Sequence, residues 1–311
     1  MALGTNHMNI SDQANFIPEL WSNEVVAAYK ANLVLANLVT RMNHNGKKGD
    51  VVHLPTPTRG AASVKASDTA VTLISANDSS AEITITINKH YEYSRLIEDL
   101  LEKQALQSMR QFFTDDAGYA LASQVDDDLW TTAYNLQGGD GAATNFGDTA
   151  VIGSDGSTTW VGSSDTATAL TDAGIRKVIQ TLDDSDIPLA DRYLVVPPVE
   201  KKNLTGLARF TEQAFVGEAA MGNTIRTGLM GDIYGIPVYV STNSPTDTAG
   251  SQDARACLLA HKSAMVVVEQ MSVRTQTQYI LDFLGDLFVA DTIYGVGELR
   301  NAGGVVIAVP A

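Results

Sequence analysis

Residues 94–134, SRLIEDLLEKQALQSMRQFFTDDAGYALASQVDDDLWTTAY, contain no proline and a single glycine, Gly118. A run of that length without a breaker predicts one long helix. From Ile97 every fourth position is apolar: Leu101, Ala105, Met109, Phe113, Ala117, Leu121, Val125, Leu129 and Ala133. An α-helix has ~3.6 residues per turn, so a spacing of four rotates the stripe by roughly 40° at each step and winds it around the axis. Such a helix cannot rest on one flat partner and has to cross several elements in turn. Ser94 is the expected N-cap, and Gln137-Gly138-Gly139 the stop. At ~1.5 Å per residue the rod would be on the order of 60 Å long, more than a compact domain needs, so it is read as a spine.

The elements around the spine are of two kinds. Residues 1–16 are polar and aperiodic and read as an arm, followed by a helix from Pro18 to Thr40 with Leu20, Trp21, Val25, Ala28, Leu35 and Val39 at helical spacing. Residues 43–50, NHNGKKGD, end it with turn formers. Val51-Val52-His53-Leu54 and the alternating Glu82 to Asn88 then read as two legs of one hairpin. Between them lies an excursion far longer than an ordinary hairpin loop, with few large apolar residues: Val64, Val71, Leu73 and Ile74. It cannot build a core, and a two-stranded ribbon is marginal in water, so a neighbouring subunit is the economical support.

After the spine, residues 137–166 read as plain surface loop. The Asp-Gly pairs at 140–141 and 155–156 lack the acidic alternation and terminal Glu of a calcium loop. A helix over 166–182, a buried strand Tyr193-Leu194-Val195-Val196, a short helix after Pro197-Pro198 and strands at 237–240, 256–260 and 264–269 imply an α/β-like layer. The tail offers Tyr279-Ile280-Leu281, Leu287-Phe288-Val289, Ile293-Tyr294 and Val305 to Val309 as short strands between glycine turns, expected to pair with the hairpin legs.

The search for chemistry returns little. Histidines 7, 44, 53, 90 and 261 are scattered, with no pair at the spacing of a zinc protease. Gly228, Gly231 and Gly235 miss the phosphate-binding loop, and there is no nucleophile elbow. The one cysteine, Cys257, lies in an apolar run and reads as a small core residue. On a helix, successive side chains diverge by ~100°, so Asp126-Asp127-Asp128 and Asp115-Asp116 cannot converge on an ion and read as solvated faces or contacts to a neighbour. A net charge of −15 argues against a basic nucleic-acid surface. No apolar stretch approaches the ~20 residues of a membrane span, and no leader pattern is present. The expectation is therefore no enzyme, no cofactor, no metal and no membrane.

The order of these parts, with Tyr193 to Pro198, Gly235-Ile236-Pro237-Val238-Tyr239-Val240-Ser241 and the closing strands Tyr294-Gly295-Val296 to Val309, resembles the major capsid protein of tailed bacteriophages with the Hong Kong 97-like fold. The resemblance covers nearly the whole chain and implies an α+β fold. Its expected divisions are an N-terminal arm and helix (1–50), an extended loop lying on the next subunit (51–93), a spine helix and loop of the peripheral domain (94–166), an axial domain (167–262), and return strands with a C-terminal strand (263–311). The implied function is a coat protein that self-assembles through hexamers and pentamers into an icosahedral head enclosing double-stranded DNA. Implied partners are other copies of itself, a separate scaffolding protein, since little precedes Pro18, and a portal protein, with assembly in the host cytoplasm. Candidate inter-subunit contacts are Arg59, Val64, Lys65, Val71, Leu73, Ile74, Asp126 and Asp127. Some members cross-link this loop to a neighbour's asparagine; Lys65 and Asn301 are conceivable partners, but no motif supports the pairing and a plain exposed lysine is the favoured reading. The same-fold alternative is an encapsulin-like compartment shell, and the alternative of another class is a soluble enzyme or carbohydrate-binding module.

Overall fold

The computed structural model describes residues 34–46, 48–56, 62–71, 82–99, 109–142, 145–161, 166–207, 231–248 and 253–311. The expectations for the arm, for the helix up to residue 33 and for Gly228, Arg59, Leu73 and Ile74 lie outside them. In chain order the regular elements are α1 (Leu35–Leu38), β1 (Thr40–Asn43), β2 (Val51–Pro55), β3 (Glu82–Thr86), β4 (Lys89–Glu98) and α2 (Met109–Ala133). There follow β5 (Val151–Ile152), α3 (Asp172–Asp184), β6 (Arg192–Val196), α4 (Pro198–Thr205), β7 (Asp232–Ile233), β8 (Ile236–Val240) and β9 (Thr246–Asp247). The remaining strands are β10 (Ala254–His261), β11 (Met265–Ile280), β12 (Gly285–Glu298) and β13 (Gly304–Pro310).

The larger sheet runs β5-β13-β10-β6-β8-β7, with β9 pairing the start of β10. Its central strands are apolar on both faces because both faces are covered. Along β10, Ala256, Leu258 and Ala260 enter one core, while Cys257 and Leu259 enter the other. β6 divides the same way, Tyr193 and Val195 against Leu194 and Val196. The second core is closed by Ile175, Val178 and Leu182 of α3 and by Leu204 of α4. Thr171 fixes where α3 starts, its hydroxyl accepting from the Gly174 N–H at 3.1 Å. Pro198 stands in the first turn of α4, where a missing N–H costs nothing.

The smaller sheet, β1-β11-β12-β4, corrects two expectations. Residues 94–98 are the end of a strand, not the start of the spine: β4 pairs with β12 from Lys89↔Tyr294 to Glu98↔Gly285. The four-residue stripe could not reveal this, because only Ile97 of it falls on β4, and Tyr91, Tyr93 and Ile97 also satisfy a period of two. Ser94 is consequently a strand residue and caps nothing, and the 25-residue α2 is roughly 38 Å long. Its end is as expected: a 3-10 turn follows at Leu136–Gly138, with Gln137 at φ 63°. The second correction concerns the return strands, which do not pair with the hairpin legs. β2 and β3 pair with each other. They stack face-on upon the smaller sheet, Ile85 and Ile87 packing with Val266 and Val268.

Two glycines of the tail, Gly295 and Gly297, are close approaches within a strand and not turns between short strands, whereas Gly303 does lie in the 3-10 turn Asn301–Gly303 before β13. Gly295 lies inside β12, and a Cβ there would sit 2.6 Å from the Thr86 carbonyl oxygen. Gly297 is similarly overlain by Ile85. Glycine thus lets the β2–β3 base settle onto β12. Replacing Gly295 with Val is expected to lower subunit stability by about 1–3 kcal/mol through overpacking, read as a lower thermal midpoint; an unchanged midpoint would mean that the base is not seated there.

The winding stripe of α2 does what a spacing of four requires. Ala117 and Leu121 face Phe288 and Ala290 of β12, whereas Leu129, Trp130 and Ala133 enter the core shared with β6 and β10. The loop after α2 is less superficial than expected. Phe146, Ala150 and Trp160 are buried in that same core, and the Trp160 indole N–H donates to the Asp247 carboxylate at 3.0 Å.

Candidate functional site

Among the described residues no three His, Cys, Asp or Glu side chains are placed to hold a metal ion. The histidines sit apart: His53 beside Glu82 across β2–β3, His90 beside Asp291, His261 beside Ser263. Cys257 is fully buried, and burial pushes its thiol well up from the ordinary range, which disfavours the thiolate.

The triplet Asp126-Asp127-Asp128 of α2 is a joint and not a wholly solvated face, which corrects the expectation for Asp126 and Asp128. Asp126 is 0% exposed. One of its oxygens accepts from the Leu35 N–H at 3.0 Å and the other from the Asn243 amide at 3.3 Å. Burial raises its carboxyl above the ordinary value, opposed by those hydrogen bonds. Asp128 accepts from the Tyr294 hydroxyl at 2.7 Å and from Lys89 at 3.3 Å. Asp127 is exposed, and its Oδ1 accepts from the same Asn243 amide at 2.8 Å. Divergence by ~100° per residue is what lets one acidic triplet bind α1, the segment after β8, and the β4–β12 pair. The divergence was legible in the sequence; the four partners, Leu35, Asn243, Lys89 and Tyr294, each from a distant segment, were not.

A second polar clamp holds the smaller sheet. Arg274 on β11 donates to both oxygens of Asp291 on β12, at 3.1 and 2.8 Å, and His90 of β4 lies 3.4 Å from the same carboxylate. The hydrogen bonds from Arg274 hold the Asp291 carboxyl below its ordinary 3.8, burial working against them and His90 with them. A carboxylate depressed on folding contributes stability above its unfolded pKa and loses it as pH falls through the folded value. Asp291→Asn should therefore flatten the part of the stability profile below about pH 4, as measured by denaturant melts across pH; an unaltered acid limb would contradict the clamp.

Several large apolar side chains among the described residues are exposed. Val64 is fully exposed and Val71 69% exposed, and Lys65 is exposed between them. Asn301, its conceivable cross-linking partner, is engaged at the end of α2, its side-chain oxygen accepting from the Gly138 N–H at 2.7 Å. The sequence reading missed a second apolar surface. The β11–β12 hairpin projects a turn in which Leu281, Phe283 and Leu284 are all exposed. Its signal was Leu-Asp-Phe-Leu standing where a turn would normally carry Gly, Asn or Pro.

A long helix packed on a four-stranded sheet, beside a second sheet covered on both faces, is the mixed α+β arrangement of the Hong Kong 97-like fold. Solved structures agree with this over almost the full length. One from Mycobacterium phage Che8 is 24% identical, with a TM-score of 0.71 and 94% of this chain and 97% of that chain covered. The capsid of cyanophage P-SCSP1u is 18% identical, with a TM-score of 0.73 and coverages of 99% and 96%. The head structure of Helicobacter pylori bacteriophage KHP40 is 13% identical, with a TM-score of 0.70 and 98% of each chain covered. No curated protein sequence matches. The chain belongs to the Phage capsid family, whose model matches residues 13–306. It is a structural major capsid protein of a bacteriophage head, located in the virion capsid. Neither the compartment-shell nor the soluble-enzyme alternative finds support in these matches.

Proposed function

We propose that this protein assembles through rings of five and six subunits into an icosahedral head around double-stranded DNA, with the excursion between β2 and β3 lying on a neighbouring subunit. One observation carries the reading. The base of the hairpin uses its apolar face on its own smaller sheet, yet residues 62–71 continue beyond it with Val64 and Val71 exposed. Apolar side chains offered on so thin an element gain stability only by burial against something else. Arg59, Leu73 and Ile74 of the same excursion, and Asp127 on α2, belong to this proposal as contacts; Asp126 is withdrawn from it because its carboxylate is used internally.

The division into extended loop, peripheral domain and axial domain is part of the same reading, with two adjustments. Residues 89–93 join the peripheral sheet through β4, and β13 joins the larger, axial sheet. The scaffolding protein, the portal protein, assembly in the host cytoplasm and a purely structural, non-enzymatic role complete the proposal. A net charge of −15 suits a container whose wall should not adhere to the DNA packed against it.

Each subunit would meet several others through unlike surfaces, so closure comes from rings in a shell and not from a two-fold pair. Expressed alone, the protein should sediment as monomers, loose capsomers or irregular particles, and co-expression with a scaffolding protein should convert these to uniform shells by negative-stain microscopy. A compact dimer that never grows under either condition would refute this reading.

A further inference from the structure

His261 ends β10, and the turn after it carries the chain from the larger sheet into β11 of the smaller one. Residues 299–303 make the return crossing, from β12 to β13. The two crossings are fastened together: the Ala264 carbonyl accepts from the Leu299 and Arg300 N–H groups at 2.8 and 3.2 Å, and a Cβ at Gly303 would sit 2.8 Å from that of Ala264. The shape of the 261–264 turn is therefore imposed on both crossings. That turn is held by an imidazole. His261 Nδ1 lies 3.1 Å from the Ser263 backbone nitrogen and 2.7 Å from the Ser263 hydroxyl. A backbone N–H can only donate, so Nδ1 is the unprotonated, accepting nitrogen of the ring. The Ala190 carbonyl can only accept and takes the ring N–H, which leaves Nε2 as the protonated position. A second proton would have to enter at Nδ1, setting two donors against each other and breaking the bond from Ser263.

The charges around the ring are fixed in place. Arg192 stands opposite His261 across the β6–β10 pair. It is 2% exposed, tied to Asp183 of α3 at 2.7 Å and to the Ile187 and Pro188 carbonyls. Arg300, from the return crossing, donates to the Ser185 and Asp186 carbonyls at 3.0 and 3.1 Å. Lys262 follows in the turn itself, its N–H donating to the Asp191 carbonyl and its carbonyl accepting from the Thr40 hydroxyl. Burial first, and then Arg192 and Arg300, hold the ring below its ordinary 6.5, while Asp191 and the Ala190 carbonyl work the other way. We propose that His261 is a proton-sensitive latch on this double crossing: neutral, it closes the 261–264 turn and with it the seam where the two sheets of one subunit join, and protonated, it lets go of Ser263 and loosens that seam. This goes beyond the assembly reading and does not depend on it, because every group involved belongs to the same chain. The sign follows from the lowered value. In the window below about pH 6.5 the unfolded chain binds more protons than the folded one, so the latch is at full strength above that window and is lost as the pH falls through it.

Hydrogen exchange of the full-length protein reads the latch where it acts. With the intrinsic pH dependence of exchange divided out, protection of the peptide over residues 262–266 should fall at least about fivefold from about pH 7.5 to about pH 5, the worth of one hydrogen bond. The peptide over residues 254–260, inside the same strand, should keep its protection. Unchanged protection at 262–266, or an equal fall in both peptides, would overturn the proposal. His261→Asn supplies an acceptor that does not titrate, and with it the fall should disappear; a fall of the same size in that variant would also overturn it. A measurement on the unaltered protein stands beside the variant: by nuclear magnetic resonance of labelled histidine, the His261 ring should titrate below about 6.5, and titration at or above that value would refute the latch.

Discussion

Replacing residues 56–81 by a two-residue Asn-Gly turn is expected to leave a folded subunit that makes no closed shell. Pro55 and Glu82 are the outermost pair of the β2–β3 ladder, so a tight turn of the type that favours Asn-Gly can join them without disturbing the register. The internal packing of Ile85 on β3, and of Ile87 just after it, upon Val266 and Val268 would survive intact. What disappears is the part of the chain that displays Val64 and Val71. Circular dichroism melts should overlay those of the parent subunit, while sedimentation and microscopy should show loss of all closed particles. Normal particles from the shortened protein would sink the assembly reading. Proteolysis offers a companion observation, since nicking should fall in residues 57–81 of free subunits and be suppressed in assembled ones.

The largest loss of subunit stability is expected from Leu129→Ala. Leu129 is 0% exposed in the core where α2 meets β6 and β10, and a cavity left there should cost about 2–5 kcal/mol. For a chain of this size that shifts the thermal midpoint by on the order of 10 °C. The neighbouring aspartates provide the contrast. Asp126→Ala strands the Leu35 N–H inside the protein and should cost about 1–3 kcal/mol, whereas Asp127→Ala, on the exposed side, should cost less than about 1 kcal/mol. Should Asp127→Ala prove more damaging than Leu129→Ala, the inner and outer faces of α2 would have been assigned the wrong way round.

Much of this architecture was legible in the sequence, because apolar period and turn residues report local conformation directly. The end of α2 at Gln137 to Gly139, the hairpin legs, the buried β6 and the amphipathic α3 all follow from such signals. What escaped was set by contacts remote in sequence. Residues 94–98 carry a pattern compatible with either period, and ten paired positions on β12 decide it. Asp126 and Asp128 were read as solvated because a carboxylate ordinarily is; only Leu35, Asn243, Lys89 and Tyr294, brought from four segments, make their burial tolerable. The surfaces stood differently. The excursion declared itself by excess length, while the apolar turn at 281–284 is meaningful only once β11 and β12 are seen to hold it clear of the sheet.

The place of β13 in the larger sheet sets a timing condition on the making of each subunit. That strand lies between β5 and β10, with Ile307 opposite Val151 on one side and Cys257 on the other, and both cores lean on it. During synthesis at about 5–20 residues per second, everything up to β12 emerges before the slot beside β10 can be filled. A ribosome-bound chain therefore carries an unfinished sheet with an open edge, and so distant a pairing is slow to form. The surfaces borne by that sheet take their final shape only once residues 304–310 are free to pair with β5 and β10.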